Sequence, residues 1–206
     1  MSINGAVFAS IVRGCPLNCE KKTIIFDARG ALAQTASMSG AVRDVAVGGT
    51  RAYVLTDLPD EIRVVDISDP AHPRQIGSRA VEGTRPPVSI AYAAGVISVL
   101  GEKLYRYDEN LAKIAEPLGA YVDDASIGVS YADQRVRIDG GCVAVTGRQF
   151  SPQLFTSNFT SLPSFPTPSP ARAISMQGGR LYVLTDHSLE IWGTVAPKAG
   201  RKHAAR

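Results

Sequence analysis

The residues from which catalytic and metal centres are most often assembled are scarce in this chain: it holds three histidines and three cysteines in 206 residues. His72, His187 and His203 lie in separate contexts, which gives no triad and no metal constellation. A Gly-rich phosphate loop, a nucleophile elbow and a haem motif are also lacking. No uncharged run reads as a membrane helix, because residues 86–101 are too few and contain Pro-Pro, while residues 149–171 are broken by five prolines. No long window carries an apolar period of 3.6 residues, which argues against helices. The formal charge of +3 is small, and the last nine residues hold four basic side chains and no acidic one, leaving a body that is close to neutral. Nucleic acid is therefore not an expected partner, and residues 196–206 read as a basic disordered tail.

What the chain has is β-forming residues set among 19 glycines and 13 prolines. "YVLTD" occurs at residues 53–57 and again at 182–186, 129 residues apart. Three units of about 43 residues would span that distance. Aligning the glycine before each apolar run finds the intervening copies: Gly5 before "AVFASIV", Gly49 before "TRAYVLTD", Gly95 before "VISVLG", Gly141 before "CVAVTG" and Gly179 before "RLYVLTD". Each glycine separates two apolar segments, as expected of a hairpin whose turn needs positive φ. A third strand follows in "KTIIFDA", "EIRVVDIS", "KLYRYDE" and "LEIWGT", and a fourth in "RQIGSRA" and "KIAEPLG". Four antiparallel strands about every 44 residues is the blade period of a β-propeller. The expected fold is all-β: about five four-stranded blades over residues 1–38, 39–82, 83–122, 123–168 and 169–195, the first and last incomplete. "YVLTD" is then a middle strand, apolar because neighbouring blades cover both its faces.

The second unit carries Gly49, Ala52, Tyr53, Val54, Val64, Val65, Asp66, Ile67, Ser68, Asp69, Pro70, Pro73 and Gly77. In these residues it resembles the LVIVD repeat of bacterial β-propellers. YVTN-type propellers share the Tyr-Val strand and are the nearest competitor, whereas WD40 landmarks are missing. The third unit lacks the Ser-Asp-Pro turn, the fourth keeps the hairpin, and the fifth keeps "LYVLTD" without the Asp turn. The resemblance implies seven or eight blades, export or surface association in bacteria, binding or scaffolding roles, and no shared catalytic residues.

Residues 1–3 align with the end of a first strand, and "LEIWGT" has no fourth strand after it. The expectation is an open arc or a fragment of a larger ring, with additional blades upstream or self-association. An upstream signal peptide would favour an exported location; without one the chain would be cytoplasmic. Cys15 and Cys19 in "RGCPLNCEKK" suit a loop disulfide, two free thiols or half a zinc site, and no second ligand pair accompanies them. Cys142 reads as a small buried strand residue, and Asp66 and Asp69 as acceptors for turn amides.

Arg43, Asp44, Ser89, Arg137 and Arg172 fall on or beside innermost strands, where they would line a central channel. Phe155, Phe159 and Phe165 lie in the uncharged, proline-rich stretch 151–170 and are read as exposed partner contacts on a projecting loop or irregular chain. No catalytic residue, cofactor or metal site is expected. The functional expectation is a non-enzymatic module that binds or scaffolds protein or carbohydrate. A fragment of a propeller enzyme, such as a lactonase or quinoprotein-like oxidoreductase, is the alternative.

Overall fold

The computed structural model describes residues 2–3, 6–13, 20–27, 33–83, 86–118, 134–139, 141–146, 152–156, 160–163 and 166–193. Their regular secondary structure is entirely β, in five antiparallel sheets that follow one another along the chain. The first holds β1 (Ser2–Ile3), β2 (Ala6–Arg13), β3 (Glu20–Asp27) and β4 (Ala33–Ser39). The second holds β5 (Ala41–Gly48), β6 (Arg51–Asp57), β7 (Glu61–Asp66) and β8 (Arg74–Ala80). The third holds β9 (Ser89–Ala93), β10 (Val96–Leu100), β11 (Leu104–Asp108) and β12 (Lys113–Leu118). The fourth comprises β13 (Arg135–Asp139), β14 (Cys142–Thr146) and β15 (Gln153–Thr156), and the fifth β16 (Ala171–Gln177), β17 (Arg180–Thr185) and β18 (Leu189–Trp192).

Glycine sets the hairpins. Gly49, Gly95, Gly141 and Gly179 have φ of 59°, 82°, 81° and 72°, a region that costs a side chain with a Cβ about 1 kcal/mol or more. Each sheet is a simple meander with neighbours in chain order. From the second sheet on, the most extensive contacts join first strands, with β5 beside β9, β9 beside β13 and β13 beside β16, while the first sheet meets β5 through β2 and β3. Sheets that converge on their first strands and stack face to face form a propeller-like array.

Four apolar clusters fill the four joints between the five sheets. Ala6, Phe8 and Ile25 meet Val45, Ala52 and Val54 between the first and second. Tyr53, Leu55, Ile62 and Val64 meet Ile90, Ile97, Val99 and Tyr107 between the second and third. Leu100 and Leu104 meet Val136, Val143 and Phe155 in the next joint, and Ala144 and Leu154 meet Ile174, Leu181 and Val183 in the last. Middle strands of the inner sheets are thus buried on both faces, so they read as unbroken apolar runs.

Ser2 and Ile3 pair with Val7 and Ala6, the end of a first strand that residues 1–3 suggest. One expectation changes. The proline-rich stretch supplies the third strand of the fourth sheet: Leu154 and Phe155 are 0% and 7% exposed and pair with Ala144 and Val143. Phe155 is therefore core and not a partner contact; its burial against Val143 and Val145 outweighs the turn-forming composition around it. Phe159, Phe165, Cys15, Cys19 and residues 196–206 lie outside the described residues.

Candidate functional site: the inner-strand cleft

The repeated pentapeptide positions the first element of the site. Thr56 closes the turn after β6, its Oγ1 donating to the Pro59 carbonyl at 2.9 Å. Thr185 does the same work after β17, where its Oγ1 accepts the Ser188 amide at 3.0 Å. Asp57 and Asp186 follow, and each receives an arginine from the first strand of its own sheet. Arg43 Nη2 lies 3.1 Å from Asp57 Oδ1, and Arg172 grips Asp186 through Nε and Nη2 at 2.5 and 2.9 Å. Both arginines sit where the pairing register shifts, between Val42 and Asp44 and between Ala171 and Ala173. A bulge adds one unpaired residue and re-aims its side chain, and here it aims a guanidinium at the aspartate across the hairpin.

At the second sheet the pair grows into a cluster. Lys21, from the first sheet, reaches Asp57 Oδ2 at 2.7 Å, and Arg43 also lies 4.0 Å from Asp60. Burial works to raise the Asp57 carboxyl, but Lys21 and Arg43 outweigh it and hold it below the usual value. Asp60 goes the other way: burial, with Asp57 nearby, raises it against the pull of Arg43. The neighbouring Glu61 instead binds Arg63 at 3.1 Å.

Three of the inner-strand candidates meet. Asp44 Oδ2 accepts from Ser89 Oγ at 2.7 Å and from the Ile90 amide at 3.0 Å. Ser89 Oγ in turn accepts from the Val136 amide at 3.2 Å and from Arg137 Nη1 at 3.3 Å. Arg137 Nη1 is 3.6 Å from Asp44 Oδ2. One carboxylate, one hydroxyl and one guanidinium therefore tie β5, β9 and β13 together, which satisfies amides that the edge of each first strand would otherwise leave unpaired. Beside them opens a cleft of about 220 Å³, lined by Asp44, Ala46, Val47, Ile90, Tyr92 and Arg137. Arg137 keeps 32% of its side chain accessible there. Arg43 and Arg172 are committed to Asp57 and Asp186 and do not line this cleft.

Asp66 and Asp69 serve their own turns, accepting from the Ser68 and Ala71 amides at 2.9 and 3.0 Å. Asp108 repeats that role for Asn110 and Ala112. Cys142 is 1% exposed, and burial pushes its thiol up. Among the described residues no three His, Cys, Asp or Glu side chains cluster as metal ligands, and no helix is long and apolar enough to cross a membrane.

Sequence reasoning missed Tyr92, which caps the cleft. Its ring stacks on Tyr53 with centroids 5.2 Å apart, and its hydroxyl bonds Glu109. A Cβ on Gly48 would lie 2.3 Å from that ring. The signal was present in the Gly48-Gly49 doublet: one glycine serves the turn and the other admits the neighbour's aromatic ring.

The family model described as the LVIVD repeat matches residues 39–80, the second sheet and its flanking chain. Among solved structures the chain is similar to the computationally designed Ika4 protein, at a TM-score of 0.57 and 8% identity over 76% of this chain and 93% of that one. It is similar to the computationally designed Ika8 protein at 0.62 and 7%, over 88% of this chain and 57% of that one. A chain of the mitotic checkpoint complex matches at 0.65 and 12%, over 91% and 58%. In the last two the protein spans under two thirds of the matched chain. At these identities the likeness concerns the fold, which is propeller-like. No curated protein sequence matches the chain.

Proposed function

We propose, for a propeller-like chain whose second sheet is an LVIVD repeat, a role as a non-enzymatic module that binds a protein or carbohydrate partner at the inner-strand cleft and its adjoining loops. One observation carries this reading: the polar groups of the inner strands are spent on holding sheets together. Asp44 and Ser89 bind the next sheet's first-strand amides, and Arg43 and Arg172 bind aspartates of their own hairpins. A group that must exchange protons or bind a reacting atom needs its lone pairs or N–H groups free at that moment. Arg137, which bonds Ser89 Oγ and the Val136 carbonyl through Nη1 but keeps 32% of its side chain exposed, and Tyr92, beside an apolar wall of Ala46, Val47 and Ile90, leave one partly exposed cation and one aromatic ring in a modest volume, which suits recognition.

The alternative, a fragment of a propeller enzyme, makes a different prediction in the same assay set. The purified chain is applied to arrays of soluble oligosaccharides and of peptides, with Arg137→Ala in parallel, and is separately assayed for lactone hydrolysis. Saturable binding that weakens at least tenfold in Arg137→Ala is the expected result. Lactone turnover above the uncatalysed rate, lost in Asp44→Asn, would sink the binding reading in favour of the enzyme.

A further inference from the structure

The two copies of "YVLTD" have opposite surroundings on one face. In the second sheet Tyr53 pairs across strands with Val64, and Leu55 with Ile62. All four are sealed by the third sheet, at 0%, 4%, 0% and 0% exposure. In the fifth sheet the same register pairs Tyr182 with Ile191, and Leu184 with Leu189. Here Ile191, Leu184 and Leu189 are 56%, 48% and 62% exposed. The opposite face of this sheet is ordinary core, since Leu181 and Val183 are both 0% exposed against the fourth sheet. Four apolar side chains in two cross-strand pairs thus repeat the surface that the second sheet buries under the third.

The same chain also carries surfaces that fit such a face. The second sheet is covered by the pairs Ile97–Tyr107 and Val99–Tyr105 of the third. The first sheet carries apolar pairs on its face turned away from the second, Val7–Phe26 and Ala9–Ile24, where Val7, Ala9 and Phe26 are partly exposed and Ile24 is 8% exposed. Their alternates Ala6, Phe8 and Ile25 are the ones that pack on the second sheet. One chain therefore bears both halves of a blade-to-blade joint, one on each terminal sheet.

We infer that the outer face of the fifth sheet docks a second copy of this chain, through the Val7–Phe26 face of that copy's first sheet. The joint is heterologous, so it closes a ring or propagates, as the rotation between copies dictates. It extends the same sheet-on-sheet packing that joins the five sheets within one chain, and it does not rest on what the cleft binds. Burial of the three exposed aliphatic side chains supplies the drive, and Arg180, exposed at the start of β17, keeps the rim polar.

Sedimentation velocity on the full chain over a hundredfold concentration range tests this. The wild type is expected to gain mass with concentration. L184R/I191R alters the fifth sheet at exposed positions, and V7R alters the first; each alone should sediment as a monomer, because each lacks one half of the joint. An equimolar mixture of the two keeps one intact half from each partner and should form a dimer and nothing larger. Far-UV circular dichroism checks folding, and A9R, on the same face as Val7, replaces V7R if that variant loses its β signal. A wild type that stays monomeric throughout, association that survives L184R/I191R, or a mixture that stays monomeric overturns the proposal.

Discussion

Tyr53 and Tyr92 stack at 5.2 Å with their planes 17° apart, and the stack is possible because Gly48 leaves the second ring room. The two rings belong to successive sheets, so their contact is part of the joint between those sheets. An aromatic pair of this kind contributes about 0.5–1.5 kcal/mol beyond its buried area.

Gly48→Ala should therefore destabilise the chain by about 1–3 kcal/mol, the usual cost of overpacking, since the new Cβ meets a ring held from its other side. Gly193→Ala is the control, because nothing lies within 4 Å of a Cβ built there. Urea denaturation of both variants measures the difference. Equal midpoints would mean that Tyr92 swings away freely and the stack carries no weight.

The link between the inner strands should behave as one unit. Asp44→Asn and Ser89→Ala each orphan donors on the neighbouring sheet, and each is expected to cost about 1–3 kcal/mol. Because they share the 2.7 Å hydrogen bond, the double variant should lose less than the sum of the singles, by about 1 kcal/mol. Additive losses in a double-mutant cycle would show that the two groups act apart.

Asp57 and Asp60 should move stability in opposite directions with pH. The Asp57 carboxyl is held below its ordinary value, so its contribution is present above an unfolded value of about 3.9 and fades as pH falls through the folded one. Asp57→Asn should thus be less stable than wild type at pH 7, by about 1–3 kcal/mol, and match it in acid. The Asp60 carboxyl is raised, so its contribution is complete below about pH 3.9 and is lost as pH rises through the folded value. Asp60→Asn should be more stable than wild type at pH 7, and the two should converge in acid. Thermal melts from pH 3 to 7 read both curves, and a shared sign at neutral pH would contradict this account.

The two arginine pairs, alike in sequence, should differ in strength. Arg172 and Asp186 keep 35% and 38% of their side chains exposed, against 29% and 19% for Arg43 and Asp57. Arg172→Ala is expected to cost at most about 1 kcal/mol, as exposed ion pairs do. Arg43→Ala should cost more, because Asp57 is less exposed and is shared with Lys21. Chemical denaturation of the two alanine variants ranks them, and a larger loss for Arg172→Ala would reverse the argument.

Much of this is legible in the sequence, because turn chemistry and strand patterning are local. Gly49, Gly95 and Gly141 mark the hairpins in the sequence and adopt positive φ in the structure. The apolar runs and the Asp turns also sit where their residues suggest. β15 was hidden, since prolines at 152 and 163 frame it as loop while burial of Leu154 and Phe155 makes it strand. The link through Asp44, Ser89 and Arg137 was only half visible: the residues stood out as inner-strand polar groups, but their bonds join positions 45 and more apart in the chain.

"YVLTD" shows where the division falls. By itself the pentapeptide determines a strand, its pleat, a threonine that closes the following turn and an aspartate set to receive an arginine, all of which depend on neighbours within one hairpin. Tertiary structure alone decides whether its leucine is buried, because that depends on what lies across the sheet face: Leu55 is 0% exposed beneath the third sheet, and Leu184, in the same five residues, is 48% exposed.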